Sequence, residues 1–189
     1  MSRPAVFLDR DGTLNEDRGY VGFYRDFAWL PGAVASVRRF NEAGLFVVVV
    51  TNQAGVARGY YTEEDVDRLH DAVQAELLAA GAHVDAFYYA PHHPTAAVDP
   101  RYAGEHPDRK PGTGMFTRAM EEHGLDAAWS FMVGDKESDV TPGRVLGMTT
   151  VLVRTGFGRE HEATTTATHV VDDVTAAADL ILRLHTAQG

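Results

Sequence analysis

The stretch Val6-Phe7-Leu8-Asp9-Arg10-Asp11-Gly12-Thr13 decides how the rest of this chain is interpreted. It begins as a short apolar run and delivers two carboxylates, two residues apart, into a turn at Gly12. Residues i and i+2 lie on the same side of an extended strand, so we expect Asp9 and Asp11 to lie side by side. A residue without Cβ is least penalised where the backbone folds back. Alone, this motif is as typical of a solvated turn as of a catalytic site.

Length and composition favour one globular domain over residues 1–189. Of the 189 residues, 44% are hydrophobic and 23% are charged, which is enough to bury a sizeable core. No apolar run approaches the ~20 residues of a membrane span, and the first four residues lead into a strand without a signal-peptide pattern. The chain has no cysteine. We therefore expect a cytoplasmic protein with no membrane partner and no disulfides.

The charge of the chain limits its partners. Its formal net charge of -10 argues against nucleic acid, because phosphate backbones are bound by basic surfaces. Only two of the 17 basic residues are lysines, Lys110 and Lys136. If the substrate is an anion, its site must be locally positive. Both lysines fall within the motifs described next, and we expect the protein to act as a monomer on a small molecule.

Strands and helices alternate along the chain, which predicts an α/β, doubly wound, mostly parallel Rossmann-like sheet with helices on both faces. Apolar runs predict strands, and helical spacing of apolar residues predicts helices. The predicted strands cover residues 6–8, 45–50, 84–90, 129–133 and 149–153. The predicted helices begin or lie at Ala33, Thr62, Lys110-Pro111, Val140–Leu146 and Val174–Leu184. Polar loops follow the first strand, at residues 14–31, and the third strand, at residues 91–109.

Polar turns follow the first, second and fourth predicted strands. The second strand ends in Thr51-Asn52, and the fourth ends in Gly134-Asp135-Lys136. Ligands of open parallel sheets sit beyond the carboxyl ends of the strands, so these turns are expected to converge. Lys110 would join them from the start of a helix.

The chemistry of these side chains points to phosphoryl transfer. Asp9 can attack phosphorus and form an aspartyl-phosphate, while Asp11 can protonate the leaving alcohol and later deprotonate water. Two carboxylates facing a phosphate require a hard cation, and oxygen ligands suit Mg²⁺. Asp9, Asp135 and the backbone carbonyl of Asp11 are expected to hold it, supported by Asp139.

Three further groups would stabilise the phosphoryl oxygens. Thr51 and Asn52 can donate hydrogen bonds to them, and Lys110 can neutralise the charge that develops during transfer.

The order of these motifs resembles a known superfamily. Asp9-x-Asp11-Gly12-Thr13, Thr51-Asn52, Lys110 and Gly134-Asp135-Lys136-x-x-Asp139 look like the four motifs of the haloacid dehalogenase superfamily of phosphotransferases. No insertion between the first and second motifs is large enough for a cap domain, so the chain resembles the capless class. The resemblance implies that Asp9 is the nucleophile, Asp11 the proton donor and Asp135 a magnesium ligand. It also implies that Thr51 and Lys110 stabilise the phosphoryl group.

Within the capless class, the chain is similar to the D-glycero-D-manno-heptose 1,7-bisphosphate 7-phosphatase family. The similarity rests on Asp9–Asn15, Gly19-Tyr20-Val21, Thr51–Gly59 and Arg109-Lys110-Pro111. It implies a phosphorylated sugar as substrate. The implied substrate contacts are Asp17, Arg18, Gly19, Tyr20, Asn52, Gln53, Ala54, Arg109 and Lys136. Arg58 joins them because its loop context favours a substrate contact.

One departure from this family concerns a structural zinc ion. Its members typically bind Zn²⁺ through cysteine and histidine pairs before the Arg-Lys-Pro motif, and the matching positions here are Ala90, His92, His106 and Asp108. A degenerate site of His92, His106 and Asp108, completed by His93 or water, stays open. We expect instead that prolines and local hydrogen bonds hold this loop.

Three alternatives remain open. Histidinol-phosphate phosphatase shares the core motifs, but we do not expect it to combine Gly19-Tyr20-Val21 with Ala57-Arg58-Gly59. A phosphoacceptor signalling domain would carry its acidic pair before a phosphoacceptor on a later strand, unlike Asp9-x-Asp11. A phosphate-binding protein without turnover would not need the second carboxylate.

Four histidines are interpreted as surface or packing residues: His70, His83, His123 and His185.

Overall fold

The computed structural model describes residues 3–188, and the strands within that range form one six-stranded parallel sheet. The strands are β1 (Ala5–Leu8), β2 (Phe46–Asn52), β3 (Ala86–Ala90), β4 (Phe131–Gly134), β5 (Thr149–Val153) and β6 (His169–Val171). Their order across the sheet is β3-β2-β1-β4-β5-β6, with every neighbouring pair parallel. The predicted α/β class with a doubly wound, Rossmann-like sheet is confirmed.

Helices cover both faces of this sheet. They are α1 (Ala33–Glu42), α2 (Glu63–Ala79), α3 (Gly114–His123), α4 (Glu137–Leu146), α5 (Gly158–His161) and α6 (Val174–Gln188). Thr62 caps α2 as predicted, since its side chain accepts a hydrogen bond from the Asp65 amide. None of the helices between residues 3 and 188 combines the length and apolar character that spanning a membrane requires.

The alternation of side chains along β1 explains why two cores form. Val6 and Leu8 pack into the core that α1, α2 and α6 cover, where Phe40 is fully buried. Phe7 points to the opposite face and packs against Phe116 of α3, with ring centroids 5.3 Å apart. A strand buried on both faces in this way must be continuously apolar, as β1 is.

The central position of β1 creates a crevice at the carboxyl edge of the sheet. The chain passes from β1 to β2 on one side, whereas β4 pairs with β1 on the other side. Loops that follow β1 and β4 therefore lead away in opposite directions, which is the arrangement that leaves room for a ligand. Between β1 and β2, residues 9–45 hold a 3₁₀ turn at Tyr24–Asp26 and helix α1.

The prediction that Lys110-Pro111 opens a helix is wrong, because α3 begins only at Gly114. Both main-chain groups of Lys110 are bound by one side chain instead. The Lys110 amide donates to Asn52 Oδ1 at 2.9 Å, and its carbonyl accepts from Asn52 Nδ2 at 3.0 Å. Hydrogen bonds from Gly112 to Arg109 and from Gly114 to Pro107 then form a turn before the helix.

Other element boundaries also differ from the prediction. Strand β2 continues through Thr51-Asn52, which were predicted as a turn, while Trp129 lies in a 3₁₀ turn rather than in β4. Strand β6 and the short helix α5 were not predicted at all. Each is short, with three and four residues respectively, so neither shows the periodicity on which sequence analysis depends.

Candidate active site

A cavity of about 740 Å³ opens at the carboxyl edge of the sheet. It is lined by residues from the loops that follow β1, β2 and β4 and by the segment 93–111. Most of the side chains predicted from sequence meet there. They are Asp9, Asp11, Asp17, Gly19, Tyr20, Thr51, Asn52, Gln53, Ala54, Arg109, Lys110 and Lys136.

The buried ammonium group of Lys110 lies at the base of this cavity. Its Nζ donates to Asp9 Oδ1 at 2.7 Å, to Asp139 Oδ1 at 2.6 Å and to the Val50 carbonyl at 2.8 Å. These three acceptors match the three protons of an ammonium group. Burial lowers the pKa of Lys110, but the Asp139 and Asp9 carboxylates outweigh it and raise that pKa overall. Lys110 is therefore a permanent positive charge within the site.

Two carboxylates at the site hold their protons unusually strongly. Burial, followed by repulsion from Asp139, raises the pKa of Asp9 to about 7 despite the nearby Lys110. Burial and repulsion from Asp9 and Asp139 raise the pKa of Asp135 to about 8. One lysine thus compensates the acidic cluster only in part, and a further cation would favour the ionised forms of both groups.

The carboxylates offer a site for that further cation. Oxygens of Asp9, Asp135 and Asp139 lie within 4.8 Å of one another. Asp135 Oδ2 accepts a hydrogen bond from the Phe157 amide at 2.8 Å, while its Oδ1 is buried without a hydrogen-bond partner. A buried, unpaired carboxylate oxygen next to other carboxylates fits a hard divalent cation such as Mg²⁺.

The three carboxylates are not equally available as ligands. Asp139 Oδ1 accepts from Lys110, and its Oδ2 accepts from the Lys136 amide at 3.0 Å. Asp139 therefore supports the site, while Asp9 and Asp135 are the better candidates to bind the cation. That the Asp11 carbonyl is a ligand remains a prediction.

A loop that sequence analysis overlooked fixes the position of Asp135. Thr155 Oγ1 donates to the Gly12 carbonyl at 2.7 Å, which joins the loop after β5 to the loop after β1. A Cβ on Gly156 would lie 2.2 Å from Asp135 Oδ2 and 2.7 Å from the Gly12 Cα. The signal available in the sequence was the Thr-Gly-Phe-Gly turn at residues 155–158, which also follows a strand.

Asp11 is held by a separate set of hydrogen bonds. Arg10, only 1% exposed, donates through Nη2 to both Asp11 carboxylate oxygens, at 3.0 and 3.2 Å. Asn15 Nδ2 donates to Oδ1 and Gln53 Nε2 donates to Oδ2, each at 2.9 Å. Asp9 and Asp11 therefore have different surroundings, one beside a lysine and the other beside an arginine and two amides.

The two polar residues at the end of β2 have distinct contacts. Thr51 Oγ1 accepts a hydrogen bond from Gln53 Nε2 at 2.9 Å, which leaves its own proton to be donated elsewhere. The side-chain amide of Asn52 forms two hydrogen bonds with the Lys110 main chain, donating to its carbonyl and accepting from its amide. Asn52 thus positions the segment that carries Lys110. The sequence predicted only that Asn52 donates a hydrogen bond to the phosphate.

The loop after β1 reaches across the cavity. Asp17 Oδ2 accepts from Lys136 Nζ at 3.1 Å, and Asp17 Oδ1 accepts from the Gly19 amide at 2.9 Å. Tyr20 follows in the left-handed region, at φ 53°, with its side chain about half exposed. Lys136 Nζ also lies 4.5 Å from the centroid of the Phe157 ring.

Two predicted substrate contacts lie outside the cavity lining. Arg18 is exposed and pairs with Glu16 at 2.7 Å. Arg58 lies behind the lining, where it contacts His93 at 3.4 Å and lies over the Tyr20 ring, 5.4 Å from its centroid. Conversely, the predicted substrate contacts did not include several lining residues, of which His93 was considered only for the zinc site: Tyr61, His93, Glu105, Ser138 and Phe157.

The loop considered as a degenerate zinc site has its own contacts. The rings of His92 and His106 stack, with centroids 3.7 Å apart and planes 2° apart. Asp108 pairs with Arg118 at 2.9 Å, and its amide donates to His106 Nδ1 at 3.2 Å. His92 Nδ1 is buried without a hydrogen-bond partner. Local hydrogen bonds of the predicted kind are thus present, and the degenerate zinc site stays the untested alternative to them.

His70, interpreted from sequence as a packing residue, also supports the site. It stacks on Phe87, with ring centroids 4.6 Å apart, and its Nε2 lies 3.1 Å from Arg10 Nη1. Burial, followed by the neighbouring Arg10 charge, lowers the pKa of His70 well below its usual value. A neutral His70 accepts from Arg10 and so helps to hold the guanidinium group against Asp11.

Comparison with known proteins gives consistent matches. Residues 108–177 match the HAD-hydrolase-like family model. D-glycero-D-manno-heptose-1,7-bisphosphate 7-phosphatase from Thermosynechococcus vestitus is 43% identical, with 96% of each chain covered. The D-glycero-beta-D-manno-heptose-1,7-bisphosphate 7-phosphatase of Rhodopseudomonas palustris is also 43% identical, over 77% of this chain and 81% of the relative.

A solved structure matches the fold over nearly its full length. The D,D-heptose 1,7-bisphosphate phosphatase from B. bronchiseptica, crystallised with magnesium and phosphate, gives a TM-score of 0.86. It is 31% identical, and the match covers 96% of this chain and 99% of that chain. Sequence and structure comparisons therefore point to the same group of proteins.

We predict that Mg²⁺ stabilises the protein more at high pH than at low pH. Raised pKa values mean that folded Asp9 and Asp135 keep protons that the unfolded chain loses above about pH 4. Their contribution to stability therefore falls as pH rises from about 4 to the folded-state pKa values of about 7 and 8, unless a cation replaces the protons. Thermal unfolding at about pH 6 and about pH 8.5, with and without Mg²⁺, measures this difference. An equal increase in melting temperature with Mg²⁺ at both pH values would contradict the prediction. Asp135→Asn is expected to abolish the difference between the two pH values.

We also predict that Gly156→Ala weakens Mg²⁺ binding. The added Cβ would collide with the Asp135 carboxylate, and the position has φ +55°. Gly124→Ala is the matched control, because Gly124 has φ +64° but nothing within 4 Å of an added Cβ. Both variants should lose about 1 kcal/mol or more through backbone strain. Titration by calorimetry should show weaker Mg²⁺ binding in Gly156→Ala alone, and equal affinities in the two variants would refute the prediction.

Proposed function

Since this chain belongs to the D-glycero-D-manno-heptose 1,7-bisphosphate 7-phosphatase family of haloacid dehalogenase-like hydrolases, we propose that the cavity at Asp9 and Asp11 is its active site. The protein is a Mg²⁺-dependent phosphoric monoester hydrolase that removes the 7-phosphate of the heptose bisphosphate. The observation that supports this location most strongly is the buried Lys110 ammonium between Asp9 and Asp139. It places a positive charge beside the carboxylate that follows β1.

In the proposed first step, a carboxylate oxygen of Asp9 attacks phosphorus. The bond between phosphorus and the sugar oxygen breaks, and Asp11 gives its proton to that oxygen as it leaves. Water then attacks the phosphoryl group on Asp9 and passes a proton back to Asp11. Phosphate leaves, and the Asp9 carboxylate is restored.

The surrounding groups stabilise charge on the phosphoryl oxygens. Thr51 has a hydroxyl proton to donate, because its oxygen already accepts from Gln53. Lys110 remains charged throughout and is held in place by its contacts with Asp9 and Asp139. When bound, Mg²⁺ at Asp9 and Asp135 would supply further positive charge to the transferred group. Fixed charges of this kind stabilise a transition state without having to reorganise.

The cationic residues of the lining suit a substrate with two phosphates. The chain as a whole carries a net charge of -10, yet Lys136 and Arg109 both line the cavity. Lys136 Nζ lies 4.0 Å from Asp135 Oδ2 in the carboxylate cluster, whereas Arg109 belongs to the lining segment 93–111 and donates to the His92 carbonyl at 3.1 Å. We propose that Lys136 contacts the substrate near the reacting phosphate and that Arg109 contacts its far end.

Tyr20 and Asp17 are proposed to contact the sugar. They lie on the loop after β1, and both line the cavity. Asp17 is an acceptor for sugar hydroxyls, and the half-exposed Tyr20 ring offers a flat surface for the carbon skeleton. Every residue in this proposal comes from one chain, so the mechanism requires no second subunit.

The decisive substitution is Asp9→Asn. It should lower Mg²⁺-dependent phosphate release from the heptose bisphosphate by at least about 10³-fold, because an amide cannot form the aspartyl-phosphate. Phosphate release should be compared on the α and β anomers and on histidinol phosphate. Asp26→Asn, an exposed site outside the cavity lining, is the control and should keep full activity. Activity that survives in Asp9→Asn would refute the assignment of Asp9 as nucleophile. If the wild-type protein cleaved histidinol phosphate faster than the heptose bisphosphate, the proposed substrate would be refuted.

A further inference from the structure

The orientation of the Gln53 amide is set by a residue outside the proposed chemistry. Gln53 is 1% exposed, and its Nε2 donates to Asp11 Oδ2 and to Thr51 Oγ1, each at 2.9 Å. Its Oε1 accepts from the Tyr61 hydroxyl at 2.8 Å. All three contacts are satisfied in one orientation of the amide. A rotation by half a turn would direct Oε1 at the Asp11 carboxylate and leave Nε2 facing Tyr61.

The Tyr61 ring occupies a slot formed by two glycines. A Cβ on Gly22, in the loop after β1, would lie 2.1 Å from the ring, and a Cβ on Gly55 would lie 2.2 Å from it. Val56 and Val66 belong to the same apolar cluster, and the Phe23 ring packs edge-on against the Tyr61 ring with centroids 6.1 Å apart. The loop after β1 and the loop that carries Tyr61 itself thus meet the ring with bare backbone, which leaves room for its hydroxyl to reach Gln53.

The Tyr61 hydroxyl acts as a donor in this contact. Burial raises the pKa of Tyr61, so its proton is retained throughout the neutral range. A hydroxyl that must donate to an amide selects the oxygen end of that amide. The nitrogen end of Gln53 is therefore directed toward Asp11 and Thr51.

We infer that Tyr61 is a positioning residue for proton transfer, which acts through Gln53 to hold the Asp11 carboxyl group in line with the leaving oxygen. Arg10 and Asn15 hold Asp11 from its other sides, so Gln53 completes the set. The inference rests on the proposed function, because it assigns Asp11 the role of proton donor. Tyr61 itself transfers no proton to the substrate.

The test compares substrates whose leaving groups differ in how strongly they depend on a proton from Asp11. The nitrophenolate ion leaves readily without one, whereas a sugar alkoxide or phenolate depends on general acid catalysis, which contributes roughly 10²- to 10⁴-fold. Values of kcat/KM should be measured for the heptose bisphosphate, phenyl phosphate and p-nitrophenyl phosphate. In Tyr61→Phe we expect roughly a tenfold loss on the first two substrates and at most about a threefold loss on the third. A structural defect alone would lower all three equally.

Two further variants keep the interpretation specific. Tyr102→Phe removes a hydroxyl from the same aromatic cluster, where it donates to Glu63 Oε1 at 2.6 Å, and it should leave the ratio of the three values unchanged. Gln53→Ala should show the same selective loss as Tyr61→Phe. Adding Tyr61→Phe to Gln53→Ala should cause no further selective loss, since Tyr61 acts through Gln53.

The possible outcomes separate the two proposals. Equal losses on all three substrates in Tyr61→Phe, or no loss, would overturn the positioning role while leaving the phosphatase function intact. A further selective loss in the double variant would show that Tyr61 does not act through Gln53, which also overturns it. Wild-type protein that cleaves both aryl phosphates but not the heptose bisphosphate would count against the proposed substrate alone, because the aryl pair still tests Tyr61.

Discussion

The site depends on the buried ammonium group of Lys110. Three carboxylates, those of Asp9, Asp135 and Asp139, lie within 4.8 Å of one another in an almost fully buried position. Such a cluster is unfavourable without compensating charge, and Lys110 supplies part of it through contacts of 2.7 and 2.6 Å. The raised pKa values of Asp9 and Asp135 show that the compensation is incomplete. The remaining imbalance favours a divalent cation, so one constraint explains both the lysine and the metal dependence.

The fold brings these charges together from distant parts of the chain. Asp9 and Asp135 follow the adjacent strands β1 and β4, and Lys110 is fixed to the end of β2 through the Asn52 amide. The loop after β5 supplies the Phe157 amide that holds one oxygen of Asp135. Catalytic groups on loops of a rigid sheet keep their geometry because the strand ends do not move independently.

The sequence predicted the features that depend on local pattern. The sheet class, the cap at Thr62 and the convergence of three strand ends followed from apolar periodicity and from the position of polar turns. The start of α3 was predicted too early, since Asn52 binds the Lys110 main chain in a contact between residues 58 positions apart. The approach of Gly156 to Asp135 likewise depends on packing between two loops, while the Gln53–Tyr61 contact closes the loop between β2 and α2 on itself. A periodic pattern of apolar residues indicates neither contact.

The measurement that tests this account most directly is a double-mutant cycle between Lys110 and Asp139. The free energy of unfolding of each variant is measured by urea denaturation at about pH 8 without Mg²⁺. Lys110→Met alone should cost about 3–5 kcal/mol, because it leaves buried carboxylates without a counter-charge. Adding Asp139→Asn should recover at least about 1 kcal/mol relative to the sum of the single effects. Free energies that add within about 0.5 kcal/mol would contradict the claim that the Lys110 charge stabilises the carboxylate cluster.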